Sequence, residues 1–471
     1  MTDSDTEIEE IATEPAELDI RDEEGALASD FVEAAVRAIH AGDAQALKAL
    51  AVELHEADLG DLLEALRPDE RRELIRLLGD EFDFVALTEV DDSLRAEIVE
   101  QMPPEWVAEG VRDLESDDAV TILEDLDETE KEAILEQLPL SEQLPLRRSL
   151  DYPEDSAGRL MQTDFIAVPT FWTVGQTIDY MRESDDLPDD FYEIYVIDPT
   201  FQVMGAVHLD RIMRTKRPVR ILDIVKDETH TVEAAEDQEE VALLFERYNL
   251  LSVPVVDESS RMVGVITIDD VVDVIHEEAE EDILRLGGVG DEEISDRVLA
   301  TARSRFTWLL VNLATAVLAS AVIAVFDATI EQMVSLAILM PIVASMGGNA
   351  GTQTMTVSVR ALAMRELDSY NMGRVIGREF LVAMLNGVGL AVIVGLVAGV
   401  WFQNPALGVV IGVALIINLL FAGLSGILIP ISLDRMNIDP AIASGVFVTT
   451  VTDVIGFFAF LGLAGWWFGL M

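Results

Sequence analysis

The sequence predicts a multidomain protein in which an α-helical superhelical repeat domain, an α/β tandem pair and a long acidic connecting helix precede a five-helix α membrane domain. Apolar residues recur at helical spacing up to about residue 150, and β-branched runs alternate with amphipathic stretches between about 152 and 277. Long apolar runs fill the remainder. The expected segments are a disordered acidic tail at 1–28, the repeat domain at 29–150, the tandem pair at 151–277 (151–218 and 219–277), the connecting helix at 278–303 and the membrane domain at 304–471.

Charge divides the chain into two parts. Residues 301–471 carry seven Arg, no Lys and eight acidic residues, whereas residues 1–300 carry 24 basic and 80 acidic residues. A field this negative repels nucleic acid and attracts cations, so we expect no nucleic-acid partner. The chain has four Lys against 27 Arg, and we interpret the bulk charge as halophilic adaptation to a salt-rich cytoplasm. Residues 1–28 are acidic and poor in apolar residues, which predicts disorder and argues against a signal peptide.

The side-chain inventory limits the chemistry. The sequence has no Cys, and its five scattered His residues show no metal-ligand spacing. Any bound metal should therefore have oxygen ligands, which favours Mg2+ or Ca2+. No combination of nucleophile, base and orienting group is evident, so we do not expect an enzyme.

A pattern of apolar residues repeats three times in the first domain, at offsets of 24 and 60 residues. The three sets are Leu63, Leu66, Leu74, Ile75 and Leu78; Leu87, Val90, Ile98, Val99 and Met102; and Leu123, Leu126, Ile134, Leu135 and Leu138. Repeated helix pairs that bury one face against the next form a small superhelical domain, which usually binds or docks.

Two similar stretches follow, YEIYVIDPTFQVMGAVHLDRIM and LSVPVVDESSRMVGVITIDDVVDVI, each predicted as strand, turn, strand and helix. The doublet resembles a tandem CBS pair. The second copy contains the GxxTxxD pattern, as Gly264, Thr267 and Asp270, which in that family holds the phosphates and ribose of an adenosine nucleotide. The first copy departs from the pattern and reads GAVHLDR at 205–211. The resemblance therefore adds ATP or another adenine nucleotide as a candidate ligand of the second copy.

The second copy runs without a turn into an acidic helix. Its carboxylates stand at helical spacings at which like charges repel one another. They are Asp270, Asp273, Glu277, Glu278, Glu281 and Asp282. Divalent ions that bridge them to a facing acidic surface would relieve the repulsion; the alternative is a solvated acidic helix. Spacing leaves both interpretations open.

Five membrane spans are predicted, each long enough to cross about 30 Å of hydrocarbon. They are 306–326, 334–363, 376–401, 408–433 and 441–463. Arg303 and Arg305 precede span 1, four Arg lie between spans 2 and 3 or in the adjoining turns of these two spans, and Arg435 lies between spans 4 and 5. The positive-inside bias therefore predicts a multi-pass plasma-membrane protein with cytoplasmic N-terminal domains and an external C-terminus.

Span 2 contains Pro341 and the run GGNAGTQ at 347–353. We expect glycines and amides at this depth to interrupt the helix and to line a pore, with Gly347, Gly348, Asn349 and Gln353 as lining residues. The alternative is close helix packing through small residues, which explains the glycines and leaves the amides unexplained.

Span 5 carries a lone carboxylate, Asp453, in an apolar run. Gly445, Thr449 and Gly456 share its helical face, which predicts a second part of the pore lining. A carboxylate at this depth is costly unless it meets water, a cation or a partner, so it is a functional candidate. Two chains around a twofold axis would supply two carboxylates to a hydrated Mg2+, and we expect a homodimer.

The whole chain resembles the MgtE family of magnesium channels. Its most specific parts are GGNAGTQ at 347–353 and TTVTDVIG at 449–456. The resemblance implies that the connecting helix is a plug at the cytoplasmic mouth and that Mg2+ bound between the cytoplasmic domains holds it shut. It also implies metal-binding roles for Asp453 in the pore, Asp439 at the pore mouth, and Asp270, Asp273, Glu278 and Glu281 in a regulatory cluster.

Three functions remain open at this point. The leading prediction is a homodimeric Mg2+-selective channel in a lipid bilayer, gated by intracellular Mg2+. The first alternative is a broader divalent cation transporter that accepts Mn2+, Co2+ or Ca2+. The second is a membrane-anchored CBS sensor without transport, against which Asp453 and the polar stretch of span 2 argue.

Overall fold

A computed structural model describes residues 19–184, 187–188, 191–226, 228–289, 298–367, 370–436 and 438–470. The chain divides into two compact units, of which the first ends at Val274 and the second begins at Ile275. Residues 1–18, the main part of the predicted acidic tail, lie outside the described residues.

Short helices form the beginning of the first unit. They are α1 (Ser29–Ala41), α2 (Ala44–Ala51), α3 (Glu56–Ala65), α4 (Pro68–Leu78), α5 (Asp92–Val99), α6 (Pro104–Arg112), α7 (Ser116–Glu124), α8 (Glu128–Leu135), α9 (Leu140–Leu150) and α10 (Ala157–Leu160). Helices α4 and α6 begin with Pro, whose fixed φ and missing N–H suit the first turn of a helix. Helix α8 begins at an Asp127 side chain that accepts hydrogen bonds from two backbone N–H groups.

One apolar core joins these helices. All residues of the three repeated sets are buried in it, except Met102, which packs at its edge. The prediction of a helical repeat domain is thereby confirmed.

The predicted disorder of residues 19–28 is wrong, because Ile20 and Leu27 pack against this core and Arg21 forms a 2.6 Å ion pair with Asp58. Two apolar contacts and the ion pairs of Arg21 with Asp58 and Asp61 hold this acidic stretch.

The α/β pair consists of two sheets with the same topology. The first copy comprises β1 (Ala167–Pro169), α11 (Val174–Glu183), β2 (Glu193–Ile197), β3 (Val203–His208) and α12 (Leu209–Arg214). The second comprises β4 (Val232–Glu233), α13 (Gln238–Tyr248), β5 (Ser252–Val256) and β6 (Met262–Thr267), followed by α14 (Ile268–Leu286). In each copy the first strand pairs parallel with the second and the second antiparallel with the third, with a register shift at the same place. This repetition agrees with the predicted tandem pair.

The connecting segment differs from the single helix that was expected. Helix α14 follows β6 directly and ends at Leu286, where Gly287 and Gly288 follow and Gly288 has a φ of 71°. A positive φ at Gly288 ends the helix because only glycine adopts it without strain. Residues 290–297 of the expected helix lie outside the described residues, and residues 298–303 belong to the next helix.

The second unit contains long helices. They are α15 (Val298–Ala324), α17 (Ser335–Ala363), α18 (Met372–Trp401), α19 (Pro405–Asp434) and α20 (Pro440–Phe468), with the short α16 (Asp327–Gln332) between the first two. Four segments of the described residues are long and apolar enough to cross a membrane, namely Thr301–Ala324, Met372–Trp401, Pro405–Asp434 and Ser444–Phe468. Helix α17 is the fifth long helix and is more polar. Helix α19 packs against α17, α18 and α20, so it lies at the centre of this unit.

The predicted interruption of span 2 is wrong. Helix α17 is continuous from Ser335 to Ala363, with Pro341 inside it. Its glycines serve close packing: a Cβ added at Gly347 would meet the Asn418 side chain, and one at Gly351 would meet the Val448 side chain. The helix stays intact because small residues let neighbouring helices approach without loss of backbone hydrogen bonds.

Candidate metal sites

Two contacts hold helix α7 against the α/β pair within the first unit. At its first turn, the Ser116 hydroxyl oxygen accepts a hydrogen bond of 2.6 Å from the backbone N–H of Thr163. At its last turn, Glu124 forms an ion pair of 3.3 Å with Arg159. These contacts place the two carboxylates that follow Ser116 near the beginning of α14.

An acidic cluster results, which we define as Glu89, Asp117, Asp118, Asp270 and Asp273. Burial, and then the nearby Asp270, raise the pKa of Asp117 well above its usual value. Burial and Glu89 raise the pKa of Asp118 to about 6. Burial likewise raises the pKa of Asp270 to about 7, although a hydrogen bond from Thr267 opposes the shift. Packing this surface therefore brings carboxylates together at an electrostatic cost, which a divalent cation would relieve.

The predicted regulatory residues form two groups along α14. Asp270 and Asp273 belong to the acidic cluster. Burial raises the pKa of Glu89, and the nearby Asp273 raises it further. Glu278 and Glu281 lie further along α14, with Glu281 about 16 Å from Asp270 along the helix axis. The sequence interpretation missed Glu89, Asp117 and Asp118, because nothing local distinguishes them from many other acidic residues.

The donor chemistry of the cluster suits Mg2+, since its members are carboxylates. Across the residues that the structure describes, no three His, Asp or Glu side chains converge closely enough to hold a metal ion. Mg2+ usually keeps several of its waters and binds proteins through one or two carboxylates, so bridging through water does not require such convergence.

A different arrangement exists at the other end of α14, within the second unit. Arg285 forms ion pairs with Glu281 on its own helix and with Asp439, whose Oδ2 lies 2.7 Å from Nη1. Asp439 also begins α20, because its Oδ1 accepts a hydrogen bond from the backbone N–H of Ala441 at 2.7 Å. Burial, and then Asp439, raise the pKa of Asp282. The predicted pore-mouth acid therefore has a base of the protein beside it.

Apolar contacts reinforce this attachment. Leu286, the last residue of α14, packs against a cluster formed by Met355 and Val359 of α17 and by Ala441 and Val448 of α20. The end of the connecting helix is thus fixed to two membrane helices by packing as well as by charge.

Asp453 lies half-buried in the second half of α20. On the same face, the Thr449 hydroxyl donates a hydrogen bond to the Gly445 carbonyl oxygen at 2.9 Å. Gly456 is buried, and a Cβ added there would lie 2.7 Å from Nδ2 of Asn418. At the Gly456 end, this face of α20 packs against Asn418 of α19, and its role as a pore lining stays a prediction.

The predicted lining residues of α17 lie on different sides of that helix. Gly347 is buried against Asn418, whereas Gly348 has nothing within 4 Å of an added Cβ, and Asn349 and Gln353 are exposed. The sequence interpretation missed Asn418. The available signal was an amide in an otherwise apolar run, since Asn418 is the only Asn, Gln or charged residue at 405–433.

The candidate nucleotide residues lie together at the start of α14. The Thr267 hydroxyl donates a hydrogen bond to Asp270 Oδ2 at 2.7 Å. Gly264 allows close packing, because a Cβ added there would lie 2.7 Å from the Gln162 carbonyl oxygen. Asp270 is therefore shared between the candidate nucleotide site and the acidic cluster.

Comparisons with known proteins cover most of the chain. Three family models match: the MgtE intracellular N domain at residues 54–155, the CBS domain at 221–277, and the divalent cation transporter MgtE at 340–463. The chain is 31% identical to the magnesium transporter MgtE of Bacillus subtilis over 88% of this chain and 89% of that protein. It is 32% identical to the magnesium transporter MgtE of Thermus thermophilus over 91% of this chain and 96% of that protein.

A solved structure, the cytosolic domain of the Mg2+ channel MgtE in complex with ATP, is 29% identical and has a TM-score of 0.48; the match covers 52% of this chain and 99% of that chain. The relatives of known function are transporters, which confirms the prediction of a protein that is not an enzyme. Their identity and coverage, together with the helical domain, the CBS pair and the apolar helices, show that the chain belongs to the MgtE family of multi-pass magnesium transporters.

Proposed function

We propose that this transporter is a Mg2+-selective channel that closes when intracellular Mg2+ binds to the acidic cluster. The proposal rests on one observation: carboxylates of the helical domain lie close to carboxylates of α14. Burial and mutual repulsion raise the pKa values of both groups. A ligand shifts a conformational equilibrium only if it binds one state more tightly. Mg2+ has this property here, because packing creates the negative site that it neutralises.

The proposed conduction path includes Asp453. A carboxylate in a membrane helix offsets the cost of partly dehydrating an entering divalent cation, and Mg2+ tolerates few direct ligands. One Asp453 from each chain of a homodimer would provide two such groups around a twofold axis. The Arg distribution supports cytoplasmic N-terminal domains and an external C-terminus in the plasma membrane.

The end of α14 would act as the closing element of this path. Arg285 and Leu286 attach it to Asp439 and to the apolar cluster on α17 and α20. When the acidic cluster separates in the absence of Mg2+, this attachment is the remaining hold on the connecting helix, and it has to weaken before ions pass.

An adenine nucleotide is a second candidate ligand, on the strength of Gly264, Thr267 and Asp270. Because Asp270 belongs to both candidate sites, nucleotide binding and Mg2+ binding should influence each other. Titration of ATP into the protein with and without Mg2+ tests this. An unchanged affinity in Asp270→Asn would remove Asp270 from the nucleotide site.

Flux into liposomes tests the path. Asp453→Asn should reduce Mg2+ flux to near background while the protein still assembles, and Asp434→Asn, which alters an exposed acid at the end of α19, should conduct normally. A panel of Mg2+, Mn2+, Co2+ and Ca2+ tests selectivity, and equal flux of all four would favour the broader divalent transporter. Normal conduction by Asp453→Asn would remove it from the path.

Neutralisation of the acidic cluster tests the gate. Changing Asp117, Asp118, Asp270 and Asp273 to Asn removes the Mg2+ ligands together with the repulsion, so flux should no longer depend on Mg2+ over the concentrations that close the wild type. A charge-matched control neutralises four exposed acids elsewhere in the helical domain. These are Asp30, Glu33, Asp80 and Glu128. If both variants close normally, the cluster is a solvated acidic surface and the proposed gate is wrong.

A further inference from the structure

The centre of α19 carries a buried amide to which no role has been assigned. Asn418 is 0% exposed, and its Nδ2 donates a hydrogen bond of 2.8 Å to the carbonyl oxygen of Val343 on α17. This bond fixes the amide orientation, because a flipped amide would set two acceptor oxygens against each other. Within the part of the chain that the structure describes, Asn418 Oδ1 accepts no hydrogen bond.

Two glycines bring helix backbones against this amide. A Cβ added at Gly347 on α17 would lie 2.2 Å from Asn418 Nδ2, and one added at Gly456 on α20 would lie 2.7 Å from the same atom. Backbone N–H groups within both helices are already committed to their own helices. The buried Thr452 hydroxyl, one turn before Gly456, donates to the Thr449 carbonyl oxygen at 3.0 Å. Neither neighbouring helix therefore offers Oδ1 a spare donor among the residues that the structure describes.

Packing alone does not explain an amide at this position. An apolar side chain of similar size, such as Leu, would fill the space without an unsatisfied acceptor. In a membrane interior, where water is not available to compensate, an unpaired polar group is especially unfavourable. The packed arrangement is thus penalised at Asn418, and the penalty disappears when a water molecule reaches Oδ1.

Asn418 lies beside the stretch of α20 that carries Asp453. The amide contacts Gly456, which follows Asp453 by three residues, or about 4.5 Å along the helix axis. Residues three positions apart lie on the same side of a helix. The carboxylate of α20 and the neutral oxygen of α19 therefore occupy one region of the membrane domain.

We infer that Asn418 Oδ1 is a neutral oxygen of the cation path, which accepts a hydrogen bond from a water molecule of the hydrated cation that Asp453 attracts. This inference rests on the proposed conduction path. The two groups have different roles: the Asp453 carboxylate supplies negative charge, and the Asn418 amide oxygen contacts the hydration shell. Such contacts favour Mg2+, because Mg2+ gives up its waters reluctantly and Ca2+ more readily takes direct oxygen ligands.

Three substitutions of Asn418 in the full-length protein test the acceptor. Asn418→Leu removes the oxygen at similar size, Asn418→Asp keeps an acceptor oxygen and loses the donor, and Asn418→Ser leaves a hydroxyl and room for water. We expect Mg2+ flux in liposomes to fall at least tenfold in Leu, together with the ratio of Mg2+ to Ca2+ flux, without loss of thermal stability. Asp and Ser should retain more flux than Leu. Ser425→Ala is the control, because it removes a buried polar group of α19 that bonds within its own helix.

A purely structural role predicts the opposite order. If the bond to Val343 is what matters, Asn418→Asp should be the least stable variant, and flux should follow the amount of folded protein in all three. That result, or normal flux and selectivity in a folded Asn418→Leu variant, would overturn the inference. Asp453→Asn is measured in parallel: if it blocks flux and Asn418→Leu conducts normally, only the role of Asn418 fails.

Discussion

The two ends of helix α14 hold their carboxylates in opposite ways. At its beginning, Asp270 faces Asp117 and Asp118 of the helical domain, and the neighbours that raise their pKa values are other carboxylates. At its end, Glu281 and Asp439 share the guanidinium of Arg285. Both arrangements place acids near one another. An arginine lies among those of the second, whereas the charged groups that act most strongly on Asp117, Asp118 and Asp270 are carboxylates.

This difference separates a site that needs an external cation from one that does not. Carboxylates packed without a base are stable only when protonated or bridged by a cation, so their packing responds to Mg2+. Carboxylates around an arginine are neutralised at any Mg2+ concentration, because the guanidinium stays charged. We therefore expect Mg2+ sensitivity to lie at the beginning of α14 and a constant attachment at its end.

A cation introduced into the acidic cluster should change the Mg2+ dependence most. Asp118→Lys should place an ammonium group among Glu89, Asp269 and Asp117 and hold the packed state without Mg2+. Protease protection of residues 268–289 should then become independent of Mg2+, and flux should stay low at all Mg2+ concentrations. Glu128→Lys makes the same change of charge on an exposed side chain and should leave the Mg2+ dependence as in the wild type.

The next effect comes from removing the cation at the other end. Arg285→Gln leaves Asp439 and Glu281 without their shared guanidinium, so this attachment should become Mg2+-dependent like the first. We expect flux at closing Mg2+ concentrations to rise several-fold, and Arg285→Lys, which keeps the charge, to restore much of the closure. Unchanged flux in Arg285→Gln would show that the packing of Leu286 is sufficient.

A smaller effect tests the close packing of α17 against α19. Gly347→Ala forces a methyl group onto Asn418 and should lower thermal stability, by about 1–3 kcal/mol for an overpacked site. Gly348→Ala meets open space and should be neutral or stabilising by up to about 1 kcal/mol through helix propensity. Thermal melting of the two variants in detergent measures this pair. Equal losses would contradict the close approach of α17 and α19.

The last prediction concerns Glu124, whose protonation should change stability without changing the response to Mg2+. Burial, and then Asp125, raise the pKa of Glu124 to about 7 although Arg159 is close. Because the folded pKa exceeds the usual 4.5, the contribution of Glu124 to stability should fall as pH rises from about 4.5 to 7 and stay constant above that. Glu124→Gln should therefore melt a few degrees higher than wild type at pH 8 and show little difference at pH 4. Its Mg2+ dependence should not change, since Glu124 lies outside the acidic cluster.

Sequence patterns alone predict the order of the domains, the core of the helical repeats, the two strand patterns of the CBS pair and Asp453 as a candidate functional residue. These features depend on periodicity and composition, which are local properties of the chain. The apolar residues of the three repeated sets, for example, follow the helical period, and their burial needed no knowledge of what they touch.

Packing between distant segments determines which acids lie together, which acid has a base beside it, and how the glycines of α17 are used. Asp117 reaches Asp270 because Ser116 bonds to Thr163, and Arg285 reaches Asp439 across more than 150 positions of sequence. An acidic chain offers too many equivalent carboxylates for spacing to select among them. Likewise, GGNAGTQ is compatible with a broken helix or with close packing, and the approach of Asn418 to Gly347 is what distinguishes the two. Contacts between distant segments depend on how whole helices pack, and no local pattern in the sequence contains that information.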